Sequence, residues 1–352
     1  MSLARSTPLS GVPIGGSSLL PWHRDAWMRL RQQPALPQSM LVTGPAGSGL
    51  SMFAMLVLGA RLCAAPGPDG LPCGTCRPCE WRAAGHHPDM LRLGRDVELP
   101  SDASAEDVGE KGAKKSERSR GIAVGDVREL IAFMQVNANG GEGRCAILAP
   151  ADSMNAAASN ALLKILEEPP AGAAIVLASA HETRLLPTVR SRCHVIRLPR
   201  PTASESTAWL ASAGVDRAAL ALDLAGQAPL AAAELTAEYW DARERLLGFL
   251  AADGRERRTG VRDLETVAPQ FVQAVLHTWV CDLISSCAAQ RVRYHTDRRD
   301  ALARASAAMS LPALLKFERR LRQAGALADH PLNPKLVVAD LLLGYADCRH
   351  PS

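Results

Sequence analysis

The stretch Gly44-Pro45-Ala46-Gly47-Ser48-Gly49-Leu50-Ser51 decides how the rest of the chain is read. Before it runs Met40-Leu41-Val42-Thr43, a short apolar segment that reads as a buried strand. After it, Met52 to Leu62 reads as a helix. Strand, glycine-rich turn and helix is the context a phosphate-binding loop needs, because the glycines let backbone N–H groups converge on an anion. The pattern G-x-x-x-x-G-K-[ST] fits at Gly44, Gly49 and Ser51 and fails at position 50, where Leu replaces lysine. The loop has the outline of a nucleotide site without the cation that neutralises the β- and γ-phosphates.

The chain around it has 352 residues, room for two or three domains, and 47% of them are apolar, enough for a sizeable core. Aromatics make up only 4%, and the abundance of Ala and Leu favours helices. A net charge of +4 permits nucleic-acid contact without arguing for it. The first residues carry no apolar leader, and no run of 18 apolar residues occurs. Neither export nor a membrane span is expected, and a cytoplasmic location follows.

Four of the nine cysteines, Cys63, Cys73, Cys76 and Cys79, follow the phosphate-loop helix closely. In a protein not expected to be exported, clustered thiols argue for metal over disulfides. Two interlocking C-x-x-C units plus Cys63 give four thiolates, the set for a structural zinc ion with every position filled. Reduced, unliganded thiols are the plainer alternative. A redox role lacks a thioredoxin-like context. His86 and His87 are left out of the shell and assigned to the turn that enters a strand over 87–93.

Residues 95–120 lose apolar periodicity and fill with Asp, Glu, Lys and Ser, so a solvated, disordered insertion is expected. Its Lys111, Lys114, Lys115, Arg118 and Arg120 read as a mixed-charge loop before they read as a nucleic-acid contact. A helix with its cap at Gly125 or Asp126 follows. The strand Arg144–Ala149 then ends in Ala149-Pro150-Ala151-Asp152. A phosphate-loop ATPase places Mg²⁺-holding carboxylates here. Ala and Pro occupy the first two positions, and Asp152 reads as the N-cap of the next helix, Asn155–Glu168, which Pro169-Pro170 stops. Strands at 174–178 and 194–198 complete a parallel sheet. Beyond it come only helical patterns, at 204–213, 217–225, 229–237, 241–252, 261–289, 297–310, 312–324 and 335–346. Cys281, Cys287 and Cys348 show no ligand spacing and read as core or surface thiols.

Two segments carry a family resemblance. Asn160-Ala-Leu-Leu-Lys-Ile-Leu-Glu-Glu-Pro-Pro170 followed by Leu186-Pro-Thr-Val-Arg-Ser-Arg-Cys193 resembles the bacterial DNA polymerase III clamp-loader subunits of the AAA+ superfamily, as does a four-cysteine module behind the loop helix. The resemblance covers at least residues 20–200. It implies an α/β AAA+ domain with an inserted zinc module over 1–198, a small helical lid over 199–238 and an all-α collar over 239–352. Against the ATPase (gamma/tau) type, this chain departs at Leu50, at Ala149-Pro150 and at Gly226-Gln227-Ala228-Pro229, where the lid arginine would fall on Pro229. That pattern is similar to the delta-prime type, which keeps the fold but does not hydrolyse ATP.

The resemblance also implies that Arg192, in Ser191-Arg192-Cys193, acts as an arginine finger in trans on ATP bound by a neighbour. An arginine that pairs with a carboxylate or caps a helix is the structural alternative. The partners implied are gamma/tau and delta subunits in a pentameric clamp loader of the polymerase holoenzyme, with the sliding clamp and primer-template DNA reached through the assembly. ATP bound at Gly44, Gly49 and Ser51 is not expected. A second reading keeps the chain as a gamma/tau-like ATPase with an altered loop. A third, a free-standing zinc nucleic-acid binder, has only Arg77, Trp81 and Arg82 beside the cysteines.

Overall fold

The computed structural model describes residues 19–94, 121–138, 143–251, 264, 267–289, 291–326 and 334–348. The expected insertion at 95–120 lies outside the described residues. By their internal contacts the residues fall into two units that meet in sequence at 205/206.

In the first unit, helix α1 (Arg24–Arg31) leads to β1 (Ser39–Thr43), α2 (Leu50–Leu62), α3 (Arg77–Ala83), β2 (Met90–Leu93), α4 (Val124–Gln135), β3 (Cys145–Leu148), α5 (Ala156–Glu167), β4 (Ala174–Ser179), the short α6 (Pro187–Arg190) and β5 (His194–Arg197). The five strands form one parallel sheet in the order β2-β3-β4-β1-β5. β1, with the phosphate loop at its carboxyl end, lies between β4 (Leu41 beside Leu177) and β5 (Leu41 beside Val195). β1, β3 and β4 are buried throughout, as strands covered on both faces are. Alternation then sorts their side chains into two layers. Met40 and Val42 pack with Trp27, Phe53 and Val57 on one face, while Leu41 packs with Leu130, Leu148 and Leu162 on the other.

Two helix caps differ from expectation. α4 begins at Val124, capped at Ala123 and not at Gly125 or Asp126. Asp126 lies one turn in, and its carboxylate accepts the Ala123 N–H at 2.8 Å, so the acid satisfies the helix start from inside the first turn. Asp152 is not the N-cap of α5. Asn155 is, accepting the Ala158 N–H at 2.8 Å. Asp152 sits in the preceding 3₁₀ turn and accepts the Ser179 hydroxyl at 2.6 Å. Asn155 wins because a cap side chain must reach the N–H two or three residues on, and Asp152 is three residues too early.

The second unit is built of helices: the end of α7 (Ala203–Ser212), then α8 (Ala218–Leu224), α9 (Pro229–Ala233), α10 (Ala237–Ala251), α11 (Pro269–Ala289), α12 (Arg299–Ala307), α13 (Leu311–Ala326) and α14 (Pro334–Ala346). α11 is 21 residues long and apolar enough to cross a membrane by length and composition. Here Phe271, Val272, Val275, Leu276, Trp279, Val280 and Leu283 on it are buried in one core with Leu246, Leu250, Leu314, Leu321 and Tyr345. Its Asp282 is fully buried and accepts backbone N–H groups from Arg293 (2.8 Å), Tyr294 (3.1 Å) and His295 (2.7 Å). A buried carboxylate stands only with such donors.

Candidate functional site: phosphate-loop remnant, arginine and cysteine centre

The phosphate loop is held by residues that precede β1. The carbonyl of Ser48 accepts the Trp22 indole N–H at 2.8 Å and the His23 Nε2–H at 2.7 Å. The carbonyl can only accept, so Nε2 carries the proton of a neutral ring. Burial keeps it neutral, lowering the His23 pKa to about 4. Gly49 has φ +87°, and a Cβ there would stand 2.9 Å from Leu20 and 3.0 Å from the His23 ring. Leu50 is the first residue of α2, and its side chain joins the core that holds Phe53 and Val57. At Gly44 a Cβ would meet the Leu198 carbonyl at 2.8 Å and Leu50 at 3.3 Å. Where the pattern calls for an ammonium directed at phosphate, an isobutyl group packs inward. Past the carboxyl end of β3, Ala149 is buried and Asp152 is already engaged by Ser179 at the end of β4. Neither Trp22 nor His23 fits the loop pattern, so sequence reasoning missed both.

Arg192 follows α6 on the way into β5. Its Nε donates to Glu167 Oε1 at 2.5 Å, an Nη of its guanidinium pairs with the same carboxylate, and Nη1 donates to the Thr188 carbonyl at 3.0 Å. About a third of the side chain is exposed. Glu167 ends α5, so the two segments that carried the family resemblance meet at this ion pair. The carboxylate-paired geometry named above as the structural alternative is present within this chain. The adjacent Cys193 is buried, which pushes its thiol up to about 12 and leaves it inert. Arg190 pairs with Glu182 at 3.6 Å.

The four cysteines converge. Cys63 closes α2, Cys76 caps α3, Cys79 lies in its first turn, and all four sulfurs lie within 4.8 Å of one another. The Cys63 and Cys76 sulfurs are 3.8 Å apart. A tetrahedron with zinc–sulfur bonds of about 2.3 Å has an edge of about 3.8 Å. Backbone N–H groups already face the sulfurs, Cys73 N–H to Cys63 Sγ and Cys76 N–H to Cys73 Sγ, each at 3.3 Å. Donors from Thr75 and Cys76 lower the Cys73 pKa to about 6. Burial, with neighbouring thiols adding to it, pushes Cys79 up to about 12. Four thiolates this close ionise together only around a cation, and this donor set fits a divalent metal ion.

His86 and His87 stay outside the cluster. His87 Nδ1 accepts the Asp89 N–H at 3.1 Å, which forms the turn into β2. Of the residues a nucleic-acid binder would use here, Arg77 stacks on Trp81 at 4.6 Å, and Arg82 is buried against α2, where Gly59 leaves room for its guanidinium.

A family model described as "DNA polymerase III, delta subunit" matches residues 24–202, half of the chain. The chain belongs to that family. Its curated relatives are named DNA polymerase III subunit delta-prime: the one from Pseudomonas aeruginosa is 35% identical over 62% of this chain and 62% of its own length, and the one from Escherichia coli is 34% identical over 51% and 49%. The chain thus spans about half to three fifths of the length of these relatives. A gamma/tau subunit from Mycobacterium bovis is 33% identical over 44% of this chain and 23% of its own. Among solved structures, a gamma-subunit-related protein from Thermotoga maritima overlays 93% of this chain and 99% of its own at 17% identity and a TM-score of 0.42, too loose a fit to argue from. The family match supports the clamp-loader resemblance and its delta-prime branch.

Proposed function

We propose that this chain is a delta-prime-type clamp-loader subunit that does not hydrolyse ATP itself and presents Arg192 to the ATP site of a neighbouring gamma/tau-type subunit. The observation that carries this reading is Leu50. Its side chain is packed among apolar neighbours at the head of α2, where an ATPase needs a lysine on the β/γ-phosphates. The closed environment of Ser48 and the absence of carboxylates at Ala149 and Pro150 support it. In the proposed assembly Arg192 leaves Glu167 to reach the neighbour's γ-phosphate, where a guanidinium stabilises transition-state charge. The first unit with its cysteine module, a lid over 199–238 and a collar over 239–352 form the scaffold of a pentamer with gamma/tau and delta subunits that loads a sliding clamp on primed DNA. Zinc on Cys63, Cys73, Cys76 and Cys79 ties the end of α2 to α3 as a structural ion.

Reconstitution with partner subunits tests the arginine. Arg192→Ala is expected to assemble normally and to lower clamp- and DNA-stimulated ATPase, with an arginine of this kind worth on the order of 10³–10⁵ in rate at the site it serves. Arg192→Lys keeps the charge but not the planar fork and is expected to rescue little. Hydrolysis unchanged in Arg192→Ala sinks this role. ATP binding by the isolated chain decides against the gamma/tau-like alternative if it is absent and for it if present. For the metal, the purified chain is expected to carry zinc at the cysteine cluster and to lose thermal stability on chelation. A cluster that stays metal-free in the presence of excess zinc refutes the assignment.

A further inference from the structure

The helical unit brings together a second set of metal-type ligands. His277 and Cys281 stand four residues apart on α11, the helical spacing that puts two side chains on one face. Glu318 on α13 faces them, and the ligand atoms of the three lie within 4.8 Å of one another. His277 Nε2 is 3.3 Å from Glu318 Oε1, and Cys281 Sγ is 3.9 Å from the same nitrogen. A tetrahedral zinc ion with bonds of about 2.0–2.1 Å to nitrogen and oxygen and about 2.3 Å to sulfur sets these edges at about 3.4 and about 3.6 Å. Both observed distances lie within a few tenths of an ångström of those edges, and the third pair, Cys281 and Glu318, lies within 4.8 Å.

We propose that His277, Cys281 and Glu318 form a second transition-metal site, with zinc as the ion, that cross-links α11 to α13. The imidazole, thiolate and carboxylate set suits a borderline-soft divalent ion and not calcium or magnesium, which prefer oxygen. Arg322 holds both oxygens of the carboxylate, Nε to Oε1 and Nη2 to Oε2 at 2.7 Å each, and so fixes the orientation of Glu318 as an outer hydrogen-bonding partner does for a metal-binding carboxylate. Three protein ligands leave a fourth position for water, and the donors are only partly buried, so the ion enters and leaves more freely than at the four-cysteine centre. The thiol proton is released to solvent as the ion binds.

The test uses the full chain, stripped of metal and titrated with zinc, then with cobalt after one equivalent of zinc has filled the tighter site. Two equivalents of zinc are expected, and the cobalt complex should show a thiolate-to-metal charge-transfer band. Cys281→Ser should lose that band. His277→Ala and Glu318→Gln should weaken the second equivalent by at least about tenfold. In all three variants the first equivalent and the circular dichroism should stay unchanged. A wild-type chain that takes up one equivalent only, or a charge-transfer band that survives in Cys281→Ser, overturns the proposal. A folded Glu318→Gln chain that binds the second ion at full strength overturns the role of Glu318.

Discussion

Leu50 replaces a charged amine with a branched alkyl group, and the effect is as much on packing as on charge. A lysine carries its ammonium outward on a flexible stem, whereas Leu50, half-buried, packs against the layer that holds Phe53 and Val57. The loop then closes around its own partners, and His23 becomes part of its core. This makes a prediction about acid. The unfolded chain takes up a proton on His23 below pH 6.5, while the folded chain holds off until about pH 4. The unfolding free energy of the sheet unit should fall as pH drops across that window, by up to about 3 kcal/mol. Denaturant melts at pH 7 and pH 4.5 read this slope. His23→Gln should flatten it, and an equally steep slope in that variant would count against the assignment. His295, pulled down to about 3 by burial and by Arg243, adds a slope of the same sign in the helical unit.

At the scale of elements, the termini of helices were the least legible part of the sequence. Asp152 and Asn155 are both good cap residues, and the choice between them turned on where the chain leaves β3. The Ala149–Pro150 turn places Asp152 beside Ser179 at the end of β4, a neighbour 27 residues away that no local pattern reveals. The consequence can be measured. Asn155→Ala should cost about 1 kcal/mol of stability by exposing the start of α5. Asp152→Ala should leave the α5 amides as protected from hydrogen exchange as before. Fraying of α5 in the Asp152 variant and not in the Asn155 variant would reverse the assignment. The strands were legible because burial on both faces leaves continuous apolar runs. β5 is an edge strand: Val195 and Ile196 pack on opposite faces of the sheet, while His194 and Arg197 at its ends are exposed.

Across the whole molecule, the sheet unit and the helical unit each own a hydrophobic core. Asp282 is a sensitive point of the second. Asp282→Ala strands three backbone N–H groups at the turn after α11, a loss of about 3 kcal/mol or more. Calorimetry should show the transition of the helical unit lowered and that of the sheet unit in place. A uniform shift of both would mean that the two fold as one cooperative block. The same accounting explains why α11 can be membrane-like in composition and yet serve as a core helix. Its apolar faces are covered by α10, α13 and α14, and its one acid is fully hydrogen-bonded.

The sequence by itself determined the parallel sheet and the glycine-rich turn between β1 and α2 with leucine at position 50, because both are written in short contiguous runs whose period and residue types have few other readings. It also marked the four-cysteine cluster, since metal-ligand spacing along a tight, glycine-rich segment is itself geometry. Only the tertiary structure decided what each side chain meets. It put Trp22 and His23 on the Ser48 carbonyl, joined Arg192 to Glu167 from 25 residues away, and moved the α5 cap to Asn155. It also changed the reading of Cys281, an ordinary thiol in the sequence, by folding α13 back to set Glu318 beside it and His277. The physical reason is that most of these hydrogen bonds and the ligand set join positions brought together by the cores, whose partners leave no periodic trace along the chain; the Asn155 cap is itself local, and it was Asp152 that a distant partner, Ser179, drew away.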